Sequence, residues 1–302
     1  MATNTIAGVN LAAIAEMSLP TLTEAFAPLR GIMTDFSSDI AQRGESVTTR
    51  FALKMTSGDL SSGYTASNNT AVAATITLNQ FRGPVWEFSD FERSRSSIDL
   101  NALFIQPAVA SIGARVWEDL WNLVNDTNFP AAAATELTVT AANFDRDDVA
   151  DLAQQLTTNG VPRQGRSLYL NPSYYAALAK DLNSVDSAGQ GRTLGENEVP
   201  RLHGFDVYET PLIDGNGVNV TGLACHNTAL IMAARGVDVP ANVAGLEVET
   251  VVVPDLGLPV QFRRWYEPGR GQLVYSMGVL YGVASAMGTA GSRPAGIKIV
   301  SS

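Results

Sequence analysis

The sequence predicts an α+β chain in which β-rich segments flank one long amphipathic helix and a compact α/β section. Three observations carry that reading. Apolar residues recur every three or four positions between Pro107 and Asp126. Strict two-residue alternation marks 47–53 and 72–78. Short strand-like and helix-like patterns then alternate from about 145 to 253, and a β-hairpin pattern closes the chain. With 302 residues, 45% hydrophobic and 17% charged, the chain is apolar enough to bury a substantial core, which excludes bulk disorder.

Residues 1–45 read as an arm. Ile6, Leu11, Ile14, Leu22, Phe26, Leu29 and Phe36 are apolar, but Pro20, Pro28 and Gly31 divide the segment into pieces too short for an autonomous helix. An arm without its own core must lie on something else. Residues 46–92 read as a long β-hairpin. Positions 47, 49, 51 and 53 share one face, with Arg50 and Lys54 opposite; positions 72, 74, 76 and 78 form the returning face. The polar stretch from Met55 to Thr70 reads as its tip. A two-stranded ribbon is marginal alone in water, so its apolar face needs cover from its own chain or from another.

In 93–144, Asp99 reads as an N-cap and Pro107 as the first turn of the main helix. Val109, Ile112, Val116, Leu120 and Leu123 form its stripe, widened by Trp117, Trp121 and Val124. At about 20 residues it would span roughly 30 Å. From 145 to 253 come a helix opened by Asp145–Asp148 and closed by Gly160, a buried strand at 167–170, an Asn171-Pro172-capped helix, a Gly/Ser-rich loop at 186–199 and a strand at 205–208. A short helix or buried turn at 229–234 and a strand at 246–253 complete this section. From 254 to 302, two strands flank the turn Glu267-Pro268-Gly269-Arg270-Gly271. The most apolar run, Leu273–Met287, is interrupted by Gly278 and Gly282 and falls short of the roughly 20 residues of a membrane helix, so it reads as a buried strand. The opening residues carry neither a basic n-region nor a long apolar stretch, which predicts a soluble protein made in a cytoplasm.

Composition excludes several functions. Lys+Arg total 20 against Asp+Glu 30, a net charge of -10, the wrong sign for a protein that grips phosphates. One cysteine, Cys225, and two histidines, His203 and His226, leave no disulfide framework, no cysteine-based zinc site and little for proton shuttling. Cys225 and His226 are sequence neighbours and so point to different faces, unlike a catalytic dyad. The Gly189–Gly195 segment has the wrong spacing for a dinucleotide loop. Asp145, Asp147, Asp148 and Asp151 sit where a helix start favours carboxylates and read as capping rather than metal ligation. The sequons at Asn68, Asn125 and Asn219 lack a secretory context. No catalytic residue, cofactor or metal is expected, and the chain is not read as an enzyme. Of the 20 basic residues, 17 are Arg, a side chain suited to planar carboxylate pairing at contacts.

What remains is surface that a single copy cannot cover. At roughly 25 cal/mol per Å² of apolar area, leaving several hundred Å² wet costs about several kcal/mol, comparable to a domain's net stability, so self-association is expected. The order of parts resembles the major capsid protein of tailed bacteriophages, with its Hong Kong 97-like fold. The resemblance covers essentially the whole chain. Its local carriers are Leu168-Tyr169-Leu170-Asn171-Pro172-Ser173-Tyr174-Tyr175-Ala176-Ala177-Leu178, Gly204-Phe205-Asp206-Val207-Tyr208-Glu209-Thr210-Pro211 and the closing hairpin from Phe262 to Val283.

The resemblance implies an N-terminal arm (1–45), an extended loop (46–92), a peripheral domain with a spine helix (93–144), an axial domain (145–253) and peripheral β-strands (254–302). It implies an icosahedral virion shell of pentamers and hexamers, assembled in the host cytoplasm, that encloses double-stranded DNA without sequence-specific binding and touches no membrane. It also implies that the loop lies across a neighbouring subunit, which makes Arg50, Phe51, Lys54, Tyr64, Ile76, Leu78, Arg82, Arg93 and Arg95 the expected intersubunit contacts. Some members carry a scaffolding segment of about a hundred residues; with about 45 residues before the hairpin, a separate scaffolding protein, and a portal, are the expected partners. Nothing singles out a partner for a Lys54 crosslink. An encapsulin-like bacterial nanocompartment shell protein shares the fold and is the alternative, although such proteins open with a cargo-binding helix rather than a Pro-broken arm.

Overall fold

The computed structural model describes residues 11–41, 44–53, 59, 61, 63–64, 71–95, 100–185, 199, 201–213, 219–238, 245–253, 256–288 and 291–301. Fifteen strands and five α-helices lie among them. The arm is more regular than its prolines suggest. Helix α1 (Leu11–Phe26) runs through Pro20, a 3-10 turn (Ala27–Gly31) follows, and β1 (Met33–Ala41) joins a sheet. An internal proline costs a helix about 3 kcal/mol. Tertiary burial outweighs it: Ala15, Leu22, Phe26 and Leu29 are fully buried in a core shared with the longest helix.

Strands β2 (Ser46–Ala52) and β3 (Ala71–Thr77) form the expected hairpin, with Phe51 opposite Val72 and Ser46 opposite Thr77. The hairpin is shorter than 46–92. Strands β4 (Gln80–Arg82) and β5 (Val85–Ser89) leave it and pair with β14 of the main sheet. Helices α2 (Asp90–Arg95) and α3 (Leu100–Trp121) follow. Pro107 lies inside α3 rather than in its first turn. Of the expected stripe, Val109, Ile112, Val116, Trp117, Leu120 and Trp121 are buried on α3, Val124 is buried just past its end and Leu123 is half-buried there; Ile105 adds to the buried face, which holds the helix through its proline.

Next come β6 (Glu136–Thr138), α4 (Arg146–Thr158), β7 (Arg166–Leu170), α5 (Pro172–Val185), β8 (Arg201–Leu202), β9 (Phe205–Glu209) and β10 (Val220–His226). Strands β11 (Leu230–Val237), β12 (Leu246–Val252), β13 (Pro259–Glu267), β14 (Gln272–Ser285) and β15 (Gly296–Val300) end the chain. The Asp145 carboxylate accepts from the backbone N–H of Asp147 and Asp148, and Asp148 returns the favour to Asp145 N–H, a capping box at the head of α4. Asn171 Oδ1 accepts from Tyr174 N–H at 3.0 Å and starts α5.

The strands form a seven-stranded sheet in the order β1-β11-β14-β13-β12, with β4 and β5 also on β14, and a six-stranded sheet in the order β6-β15-β10-β7-β9-β8. This division departs from the sequence expectation in two places. Residues 230–234 are strand and only Ala229 remains in a turn, because β11 is flanked by β1 and β14 and buried on both faces. Strands β11 and β12, expected with the axial section, belong to the larger sheet, and β15, expected with the other, belongs to the smaller one. The chain passes from β10 of the smaller sheet to β11 of the larger one through the turn 226–229, where Ala229 N–H bonds His226 O.

A large core joins α1, α3 and the seven-stranded sheet; a second lies between α4, α5 and the six-stranded sheet. Tyr169 ties the two units and the arm together. It is fully buried, donates to Pro28 O at 2.7 Å, and lies against Trp117, Trp121 and Tyr208.

Candidate interaction surfaces

Residue types that could do chemistry are spent on structure. Cys225 is buried in β10, and desolvation pushes its thiol up to about 12, so it holds no thiolate at neutral pH. His226 Nδ1 faces the Thr228 hydroxyl at 2.9 Å; burial, followed by the neighbouring Arg293 charge, lowers its pKa. His203 sits in the β8–β9 turn with φ of 47°. The acidic group at 145–151 caps α4, and among the described residues no three His, Cys, Asp or Glu side chains gather as a metal site. Residues 189–195 lie outside the described residues, as does Asn68. No described helix is long and apolar enough to cross a membrane.

The nine expected contact residues separate into three groups. Arg50, Tyr64 and Arg82 are exposed, Tyr64 at 93%, and Arg82 makes only a local hydrogen bond to Gln80 at 3.0 Å. Ile76 and Leu78 are a correction: both are fully buried within their own chain, in a cluster with Ala74, Ile231, Ala233, Leu280 and Ala286. The apolar face of the hairpin base therefore finds cover on β11 and β14, because β3 crosses β14 closely enough to pack there. Phe51 belongs to the rim of that cluster and is partly buried. Lys54 lies outside the described residues, as do the side chains of Arg93 and Arg95 on α2.

Gly282 of β14 permits the crossing. A Cβ there would stand 2.2 Å from the carbonyl oxygen of Thr77 and 2.9 Å from Ile76 Cγ2, so the hairpin reaches its seat only over a residue without a side chain.

Other exposed apolar side chains escaped the sequence reading. Val85 (62% exposed) and Phe91 (80%) stand out, with Phe81, Phe104 and Leu212 less so. A groove nearby is lined by Arg82, Gly83, Pro84, Ser111, Arg115 and Leu212. The Gly83-Pro84 break ahead of Val85 was the available signal, obscured by placing 80–92 within the hairpin. Several arginines are spent inside the chain: Arg264 pairs with Glu247 at 2.5 Å, Arg235 with Asp35 at 2.9 Å and Arg270 with Glu87 at 3.2 Å. Such pairs fix strand register more than they add stability.

Sequence comparison finds no matching family model and no matching curated protein. Solved structures do match. The chain is similar to the capsid asymmetric unit of cyanophage Pam1, with 13% identity, a TM-score of 0.62 and 91% of each chain covered. It is similar to the mature capsid of bacteriophage PhiM1, with 14% identity, a TM-score of 0.56 and coverage of 91% of this chain and 86% of that one. It is also similar to the structure titled Mycobacterium phage Che8, with 15% identity, a TM-score of 0.56 and coverage of 85% and 84%. The chain has the Hong Kong 97-like fold of these structures.

Proposed function

We propose that this chain is the major capsid protein of a tailed bacteriophage, self-assembling into the icosahedral shell that encloses a double-stranded DNA genome. The observation that carries the reading is likeness to phage capsid structures over about nine-tenths of both chains. Cys225 is buried, and Asp145 and Asp148 cap α4, which agrees with a structural role.

Self-association has physical support as well. Tyr64, Val85 and Phe91 present apolar surface to water, and the hairpin extends from the body as two strands that pair only with each other. Within this reading Arg50, Lys54, Tyr64, Arg82, Arg93 and Arg95 meet neighbouring copies, the distal hairpin reaches across the subunit boundary, and the six-stranded unit faces the capsomer centre. A scaffolding protein and a portal are the further partners. The net charge of -10 favours DNA that is confined rather than bound. Phage shells, rather than encapsulin compartments, are the structures it matches here. Expression followed by negative-stain electron microscopy tests the reading: uniform closed shells are expected, and a dispersed monomer at every concentration contradicts it.

A further inference from the structure

Arg293 lies in the segment between β14 and β15, far in sequence from the hairpin, yet its guanidinium carbon sits 4.3 Å from the centroid of the Phe51 ring. Phe51 is the penultimate residue of β2, opposite Val72, so this contact ties the far end of the described strands to the body. Closer to the base, Ala74, Ile76 and Leu78 are held by burial alone.

The guanidinium is itself fixed. Its Nη1 donates to Thr228 O at 3.0 Å and to Ala286 O at 3.1 Å, and Nη2 donates to the Thr228 hydroxyl. Thr228 is in turn held by His226 Nδ1. Burial lowers the Arg293 pKa, yet the group stays charged at any ordinary pH. Among the described residues no carboxylate pairs with it; carbonyls, a hydroxyl and the face of one aromatic ring receive its charge. The turn that carries Thr228 also joins the two sheets, so the plate against which Phe51 stacks is anchored between them.

We infer that Arg293 is a positioning residue for assembly: its cation–π contact with Phe51 sets the direction in which the hairpin leaves the body before a second copy of this chain receives it. The inference rests on the capsid reading and adds a residue to it. A small rotation at this anchor displaces everything distal to it by more, so a subunit lacking the contact meets its neighbour over a spread of angles. A cation–π contact of this kind stabilises the docked hairpin by a factor of roughly 2 to 30.

Two readouts test it, amide exchange in unassembled subunits and shell formation by electron microscopy, on Arg293→Ala, Phe51→Leu, Phe51→Tyr and the Arg293→Ala/Phe51→Leu pair. Both single losses are expected to speed exchange across 46–52 and 71–77 by about 2- to 30-fold, to leave exchange in α4 and β7 unchanged, and to give fewer or misshapen shells. The double variant should be no worse than either single one, and Phe51→Tyr, which keeps the ring, should match the unaltered chain. Normal exchange and normal shells in Arg293→Ala overturn the inference, as do multiplying effects in the double variant. If Arg293→Ala does not fold, Phe51→Leu reads the same contact with the arginine in place. Should the unaltered chain form no shell at all, the capsid reading falls, and exchange alone still decides the role of Arg293.

Discussion

Two side chains show how charge is handled where water is scarce. Lys298 of β15 is fully buried; its ammonium contacts Asp126 and lies 2.9 Å from Glu136, tying β6 and the segment after α3 to the smaller sheet. Asp126 stays largely exposed and Glu136 partly so, so the charge left behind is solvated, and Lys298→Ala should lower stability by about 1–3 kcal/mol in urea denaturation; an unchanged denaturation midpoint would contradict its role. His226 works in the opposite sense. Burial and the nearby Arg293 and Arg166 charges depress its pKa, while a backbone hydrogen bond at Gln164 opposes them. The folded state therefore binds fewer protons than the unfolded one, whose imidazole titrates near 6.5. The contribution is fully present above about pH 6.5 and is lost as pH falls below it through the folded pKa. Between pH 7.5 and 5 the unaltered chain should lose more thermal stability than His226→Gln; equal losses would contradict the assignment. Neither role was legible in the sequence, because Asp126 and Glu136 lie far from Lys298 in the chain, and Arg166 and Arg293 lie far from His226.

At the scale of elements, periodicity carried most of the information. The α3 stripe, the capped starts of α4 and α5, and the strand pair around Pro268-Gly269 were all readable, since each is set by local spacing and turn chemistry. What failed was local pessimism about proline in α1 and α3, where burial against another element decides. Strand β11 failed for a related reason: a strand buried on both faces shows no alternation, and Leu230–Ala234 reads equally well as buried helix. The hairpin was found but its apolar face was assigned to a neighbour, because no sequence signal marks the close crossing at Gly282. That crossing makes a sharp expectation. Gly282→Val must displace Thr77 and Ile76 and should cost about 1–3 kcal/mol, as overpacking does, with amide protection lost first in 71–77. Undisturbed protection there would mean that the hairpin is seated elsewhere.

For the whole molecule, the order of segments was legible while their grouping into sheets was not. Chain order is what a sequence displays; that β11 and β12 join β14, and β15 joins β10, follows from long-range pairing with no local trace. Burial of the hairpin base and of α1 also narrows what a neighbour must cover. The burden moves outward, to 53–70 and to exposed side chains such as Tyr64, Val85 and Phe91. Deleting 57–68 should therefore leave a folded subunit, with the denaturation midpoint of the full chain, that no longer closes shells; normal particles from that variant would show that the distal hairpin is dispensable. The central claim, that copies of this chain lock together into a shell, is tested most directly by sedimentation velocity of the purified full chain across a wide concentration range, with electron microscopy of the fastest fraction. A discrete, fast-sedimenting species made of uniform closed particles is the expected result. A single slow boundary of monomer mass at every concentration, with no particles in any fraction, would contradict it.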